Sequence, residues 1–332
     1  MFILTMKDPD SIRGRSMKEI KYSYRLLLNQ IRKHDQKYKQ IAISGEEIFI
    51  PTRWGEVRAL LYRPVLTDIC GPENRKYPVL FDFHGGGFVF GLPEADDRFC
   101  RKISDTLEII VISVDYRLAP EFPYPAALED VYDSVSYVHA HPAEFSIDPD
   151  RMAVGGHSAG ANISTVLCMM AKKSGEFSFK CQILDYPAVD FKTDAGLKKT
   201  PVGGIPPPLM EMFEECYCEP EERADVYVSP LLASDEELAG LPPAIVISAG
   251  IDSLKHEDSD YATRLCEAGV PVEHDHYAEV AHGFTIAAFS PVTMSEPKIL
   301  PGVSNVPALK DNAADAIGRI IHLLVKYLLD AF

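Results

Sequence analysis

Positive charge is scarce in this chain: 33 Lys+Arg stand against 49 Asp+Glu, a formal net charge of −16. That balance argues against nucleic acid or an anionic membrane held on a broad electrostatic surface. Paired cysteines are missing too. The seven cysteines, at 70, 100, 168, 181, 216, 218 and 266, form an odd set without a CxxC pair. Neither a disulfide framework nor a four-thiolate zinc site is implied, and Cys216 and Cys218, flanking Tyr217, read as free thiols. No apolar run approaches the roughly 18 residues of a membrane span. The few apolar residues of Met1 to Lys7 are too short for the hydrophobic region of a secretory signal. The expectation is a cytoplasmic protein that binds neither nucleic acid nor membrane. Nucleotide-binding glycine patterns are absent as well: Phe90 stands where G-x-G-x-x-G needs glycine, and no G-K-[ST] occurs. His274-Asp275-His276 offers metal-type donors, but strand alternation sends Asp275 to the opposite face from the two histidines. No cofactor and no metal are expected.

What remains is an ordinary globular composition, 46% hydrophobic and 25% charged over 332 residues, enough for one large domain with a small appendage. Residues 11–40 read as one or two helices, with Ile20, Tyr24, Leu27, Leu28 and Ile31 on one face, and the amphipathic Met17 to Ile31 stretch reads as a packing helix. Short β-like runs follow at Glu47 to Ile50 and Val57 to Tyr62, then a turn-rich link around Gly71, Pro72 and Asn74. Apolar strand candidates next alternate with helical ones. The strands are Val79 to Phe83, Ile109 to Val114, Met152 to Val154, Gln182 to Leu184, Ala244 to Ser248 and Val272 to Tyr277. The helices are Ala126 to Ala140, Ala159 to Lys172, Ser259 to Ala268 and Leu309 to Leu329. Crossovers of that length call for a mostly parallel sheet covered on both faces, an α/β fold. Residues 190–235, rich in proline and glutamate, break the rhythm and read as an inserted cap segment.

The chemistry centres on Gly156-His157-Ser158-Ala159-Gly160, lying between a strand candidate and a helix candidate. A turn that tight needs flanking positions nearly free of side chain, and it raises the Ser158 hydroxyl for attack. A serine hydroxyl is a poor nucleophile at neutral pH, so it needs an imidazole to take its proton and a carboxylate to orient that imidazole. Active sites of open α/β sheets form at the carboxyl ends of strands. Asp252 and His282 follow the last two strand candidates, at that end. His274 and His276 fall within a strand, His322 within a helix, and Asp258 and Asp260 at a helix start where capping explains them. A negative tetrahedral oxygen also needs preorganised N–H donors. The glycine loop His84-Gly85-Gly86-Gly87, after the strand Val79 to Phe83, and the amide of Ala159 offer them.

Taken together, HGGGF at 84–88, DYRLAPE at 115–121, GHSAG at 156–160, and Gly250-Ile251-Asp252-Ser253-Leu254 followed by His282-Gly283-Phe284 resemble the hormone-sensitive-lipase-like family of α/β-hydrolase esterases. The resemblance spans about residues 45–330, in the family's order. It implies an α/β-hydrolase fold with a small helical cap formed by residues 1–45 and about 190–235, the catalytic domain being 46–332. It implies Ser158 as nucleophile, His282 as general base and acid, Asp252 as its orienter, and Gly86, Gly87 and Ala159 as oxyanion donors. Asp115, Arg117 and Glu121, with His84 and Gly85 of the glycine motif, are expected to brace the site rather than to react. His157 stands where many relatives have Asp and is read as turned into the packing; Ala161, Ser253 and His256 also depart from the pattern.

The expected activity is hydrolysis of short-chain acyl esters through an acyl-enzyme, without a cofactor, on a small-molecule ester substrate. Deacetylation of sugars or amide hydrolysis with the same triad stays open, as does, more remotely, a hydrolase-fold receptor. Relatives often dimerise through the last strand and helix. The apolar face of Ile317, Ile320, Ile321, Leu324 and Leu328 is assigned to the core, and a homodimer is left open.

Overall fold

The computed structural model describes residues 22–65, 75–289 and 306–329. The start of the chain through residue 21, the link around Gly71, Pro72 and Asn74, and the proline-rich stretch 291–305 lie outside the described residues.

Eight strands form one sheet: β1 (Glu46–Thr52), β2 (Gly55–Tyr62), β3 (Tyr77–Phe83), β4 (Ile110–Val114), β5 (Ile147–His157), β6 (Gln182–Asp185), β7 (Ala244–Ile251) and β8 (Val272–Ala281). Their order is β1-β2-β4-β3-β5-β6-β7-β8. β1 and β2 make an antiparallel hairpin and β2 runs antiparallel to β4, while every pairing from β4 to β8 is parallel. The helices are α1 (Tyr22–Tyr38), α2 (Asp97–Leu107), α3 (Ala126–Ala140), α4 (Pro142–Phe145), α5 (Ala159–Ser174), α6 (Pro207–Tyr217), α7 (Asp235–Leu238), α8 (Lys255–Glu267), α9 (Phe284–Ala287) and α10 (Val306–Tyr327).

The period-two alternation of the strands divides the core between two faces. Ile110, Ile112 and Val114 of β4 join the cluster under α3, α5 and α8, whereas Val111 joins the cluster under α2 and α10. Parallel strands buried on both faces read as unbroken apolar runs, which is why β3, β4 and β7 are visible in the sequence. Ile317, Ile320 and Leu324 of α10, and Leu328 just after it, are fully buried against this sheet. Among the described residues no helix is long and apolar enough to cross a membrane.

Two eleven-residue helices escape the sequence pattern, as do the four-residue α4, α7 and α9. α2 carries Asp97, Arg98, Arg101, Lys102 and Asp105 among its eleven residues and buries only the stripe Phe99, Cys100, Ile103, Ser104 and Leu107. α6 lies within the proline-rich segment: Pro207 occupies its first turn, where a missing N–H costs nothing and the fixed φ favours the helix. Helix α8 begins four residues earlier than its periodicity suggests, at Lys255 rather than Ser259. α1 and α6 share an apolar cluster in which Tyr24, Leu28 and Ile31 meet Leu209, Met210 and Met212. The Tyr24 hydroxyl donates to Glu211 Oε2 at 2.8 Å.

Ile112 is fully buried in the middle of the sheet. Ile112→Ala should lower the unfolding free energy by about 2–5 kcal/mol, through lost transfer energy and the cavity left behind. The urea midpoint, at unchanged slope, measures it.

Candidate active site

Ser158 stands between β5 and α5 with φ 56° and ψ −113°, a conformation costly for a residue with a Cβ. The surroundings impose it. A Cβ on Gly160 would lie 1.8 Å from the Phe83 carbonyl oxygen, and one on Gly156 would lie 2.5 Å from the same atom. The turn therefore sits directly against the end of β3, and only glycine fits at those two positions. The Ser158 amide donates to the Asp185 carbonyl at 2.9 Å, while the Asn162 amide donates to the Ser158 carbonyl at 3.1 Å.

Topology gathers the other two groups from distant sequence. His282 follows β8 directly and its Nε2 lies 2.9 Å from Ser158 Oγ. Its Nδ1 lies 2.6 Å from Oδ2 of Asp252, which follows β7 and is fully buried. The carboxylate fixes the tautomer: Nδ1 carries the hydrogen it donates, which leaves Nε2 free to accept the serine proton. Asp252 Oδ1 accepts the Leu254 amide at 3.1 Å, so both its oxygens are anchored. The Tyr186 ring packs edge-on to the His282 imidazole with centroids 4.7 Å apart.

Gly85, Gly86 and Gly87 line the same cavity as Ser158 and His282. Gly86 has φ +127°, and its carbonyl accepts the amides of Val89 and Phe90 at 3.1 and 3.2 Å, which folds the loop back on itself. Ala159 opens α5, so its amide belongs to the first turn, whose N–H groups have no acceptor within the helix. His84 is buried and stacked on Tyr116 at 4.2 Å, and the Tyr116 hydroxyl donates to the His84 carbonyl at 2.7 Å.

The structure brings none of Asp115, Arg117 or Glu121 to the serine. Asp115 pairs with Arg58 at 3.1 Å, Arg117 with Asp130 at 2.7 Å, and Glu121 with Arg32 of α1 at 2.8 Å. Arg32 also donates to the carbonyls of Val89 and Ala119, at 2.9 and 2.7 Å. Together they fasten the glycine loop, the 115–121 stretch and α1 to one another.

The cavity above Ser158 has a volume of about 240 Å³ and is walled mainly by apolar side chains, among them Phe90, Ile205, Leu209, Met210, Phe213 and Ile286. A Cβ on Gly87 would lie 2.5 Å from the Phe213 ring, so α6 presses on the glycine loop itself. The few polar groups at the wall are perturbed. Burial pushes Asp35 up to about 6 against the amide of Gly91, and pushes Glu214 up to about 7 although Arg223 lies 2.9 Å away. Ser253 Oγ donates to the Ile205 carbonyl at 2.8 Å, tying the Asp252 loop to the segment that precedes α6.

Some sequence expectations need correction. Asp258 does not cap α8, whose first turn has no side-chain cap; it is fully buried with both carboxylate oxygens unpartnered. Burial, with Asp252 and Glu257 nearby, pushes its carboxyl well up. His274 and His276 both hydrogen-bond Ser248 Oγ, at 3.0 and 2.9 Å, so their face of β8 is used structurally. His157 is buried in the packing against Phe99, as expected, but carboxylates meet it there as well: Asp185 lies 2.8 Å from its Nδ1 and Asp82 lies 3.7 Å from its Nε2. Sequence reading missed Asp82, Asp96 and Asp185. A charge inside the apolar run of β3 and another at the end of β6 were the available signals.

Gly86→Ala should leave the fold intact by circular dichroism, yet lower kcat on the order of 10²–10³-fold by displacing the loop donors. The new Cβ would fall 2.0 Å from the Phe90 carbonyl oxygen, so the loop must move.

The family model described as alpha/beta hydrolase fold matches residues 80–286. LipN, a carboxylic ester hydrolase of Mycobacterium tuberculosis, is 36% identical over 254 residues, 74% of this chain and 65% of LipN, just under two thirds of LipN's own length. Among solved structures, the thermostable carboxylesterase EstE1, cloned from a metagenomic library, superposes with a TM-score of 0.72 at 32% identity, covering 91% of this chain and 97% of EstE1. A thermostable esterase from Pseudomonas putida superposes with a TM-score of 0.74 at 27% identity, covering 94% of this chain and 92% of the esterase. With the sheet order, the glycine loop and the strained serine turn already established, these matches place the chain in the α/β-hydrolase fold family, among the hormone-sensitive-lipase-like esterases.

Proposed function

We propose that the protein is a serine carboxylesterase that hydrolyses short acyl esters through a covalent acyl-enzyme. The observation that carries this reading is the unbroken chain from Ser158 Oγ through His282 to the buried Asp252, opening into a narrow apolar cavity. In the first half-reaction Ser158 Oγ attacks the ester carbonyl while His282 Nε2 takes its proton. The charge that develops on the carbonyl oxygen faces the amides of Gly86, Gly87 and Ala159. The tetrahedral intermediate collapses, His282 returns the proton to the departing alcohol, and the acyl group stays on Ser158. Water then attacks under the same base, releasing the acid and restoring the serine. Asp252 keeps its charge throughout and stabilises the imidazolium that forms twice per cycle.

The short-chain preference rests on the cavity. Its volume is below the roughly 300–1,000 Å³ usual for small-molecule sites, and Phe213 and Met210 of α6 close over it. The acidic composition and the absence, among the described residues, of a membrane-crossing helix give no support to a lipid-interface substrate.

Across p-nitrophenyl esters from two to sixteen carbons, kcat/KM should peak at the short end; a maximum at the long end removes the chain-length claim. Ser158→Ala should lower turnover on the order of a millionfold and abolish labelling by a fluorophosphonate, whereas Asp252→Asn should cost less because orientation is partly retained. A higher rate on acetylated sugars or on anilides than on simple esters would move the assignment to a deacetylase or an amidase.

A further inference from the structure

Directly beneath the nucleophile turn lies a second imidazole–carboxylate assembly that the ester chemistry does not use. His157, the last residue of β5, is 2% exposed, and alternation turns it to the α2 face of the sheet, where its ring meets the edge of Phe99 at 5.0 Å. Three carboxylates surround it, each from a different element: Asp82 from β3, Asp96 from the turn before α2, and Asp185 from the end of β6. All three are at most 2% exposed. Asp185 Oδ2 lies 2.8 Å from Nδ1. On the other side of the ring, Nε2 lies 3.7 Å from Asp82 Oδ1, and a ring nitrogen and one oxygen each of Asp82 and Asp96 lie within 4.8 Å of one another. Asp82 Oδ2 accepts Ser113 Oγ at 2.8 Å and the Cys100 thiol at 3.4 Å. His157 Nε2, Asp96 Oδ2 and Asp185 Oδ1 are buried without a hydrogen-bond partner.

Charge decides what this assembly holds. Among the described residues no Lys or Arg forms an ion pair with Asp82, Asp96 or Asp185, and of the two imidazoles near them, His157 and His84, only His157 lies within ion-pair distance of these carboxylates. Unpaired carboxylates in a dry interior are costly, and a proton on the ring offsets that cost. Burial lowers the affinity of the ring for a proton, but the Asp185 hydrogen bond and the charges of Asp96, Asp185 and Asp82 outweigh it, raising His157 to about 9. Burial likewise raises Asp82, and raises Asp96 to about 8. The remaining titratable neighbours stay neutral. Burial pushes the Cys100 thiol and the Tyr186 hydroxyl well up, and burial depresses the basicity of His84.

The position of Asp185 gives the assembly a consequence for Ser158. Its backbone carbonyl takes the Ser158 amide, while its side chain takes His157 and, at 2.5 Å, the Thr285 hydroxyl. Thr285 lies three residues after His282 and is 2.7 Å from the Tyr186 hydroxyl, and the Tyr186 ring packs on His282 itself. One carboxylate thus fastens both the turn that presents the nucleophile and the segment that presents the base.

We propose that His157 is a positioning residue: protonated and clamped by Asp185, with Asp82 and Asp96 on its other side, it fixes the Ser158 turn against the segment that bears His282. The proposal rests on the esterase reading above. Proton linkage follows with a definite sign. The folded chain holds the His157 proton up to about 9, whereas the ordinary value is 6.5, so this stabilisation is complete below about 6.5 and is lost as pH rises through about 9. Asp96, raised from 3.8 to about 8, acts in the same direction over its own range.

The test combines kinetics with spectroscopy on the full chain. In the wild type, ¹⁵N-edited NMR should find both His157 ring nitrogens protonated at pH 8, and the ring should titrate near 9 with a parallel fall in kcat for methyl butyrate in a pH-stat. His157→Gln and Asp185→Asn should each lower kcat about tenfold at neutral pH with KM changed less than about twofold. His157→Gln should also lose the alkaline fall. The double variant should be no worse than about twofold below the poorer single one, because both remove the same link. A neutral His157 ring at pH 8 overturns the proposal even if the variants fail to fold. So does an alkaline fall that persists in His157→Gln, or a wild-type kcat in that variant. A stoichiometric divalent ion in the purified protein, with Tm lowered by chelation, overturns it as well, since the ring would then be a ligand. Should Ser158→Ala stay active, the esterase reading fails; should it be dead while His157→Gln equals the wild type, only the positioning role does.

Discussion

Everything at the active end of this molecule depends on how closely the turn after β5 approaches the end of β3. Gly156 and Gly160 let the Phe83 carbonyl come within the space a methyl group would fill. That contact has two effects at once. It forces Ser158 into a left-handed backbone conformation that lifts its hydroxyl toward His282, and it sets the serine beside the glycine loop that continues from β3. The strain at one residue persists because hydrogen bonds on both sides of it, to the Asp185 carbonyl and from the Asn162 amide, over-determine the turn.

Around that turn the charges are sorted into two layers. The upper layer is the pair Asp252–His282, whose ring keeps one face toward the cavity. The lower layer is His157 with its three aspartates, all at most 2% exposed, with His157 and Asp96 reaching the floor of the same cavity. Asp185 joins the layers through Thr285 and Tyr186, so Ser158, His282 and His157 belong to one continuous set of contacts. A buried network of this kind rigidifies what it connects where its members are paired, as Asp185 is with His157 and Thr285.

The segments read as a cap meet the rest of the molecule through packing. α1 and α6 come from segments about 180 residues apart, yet they share one apolar cluster and close over the cavity through Met210 and Phe213. Arg32 ties the residue after the glycine loop, Val89, to Glu121, and Arg58 ties Glu94 to Asp115.

The α/β class was legible in the chain because parallel strands buried on both faces are written as apolar runs, and the serine, the glycine loop and the order Ser158, Asp252, His282 were legible because tight turns and strand ends need particular residue types. α2 was not legible: half its surface is charged, and its buried stripe is too short for periodicity to stand out. The capping role read for Asp258 was wrong because a helix start in sequence says nothing about which side faces the core. Nor could the sequence assign His157, whose nearest carboxylates lie 28 and 75 positions away. Local sequence determined which groups were available and which turns could form. Tertiary structure alone decided which carboxylate met which imidazole, because that depends on strand order and register, and on the desolvation that only the closed fold imposes.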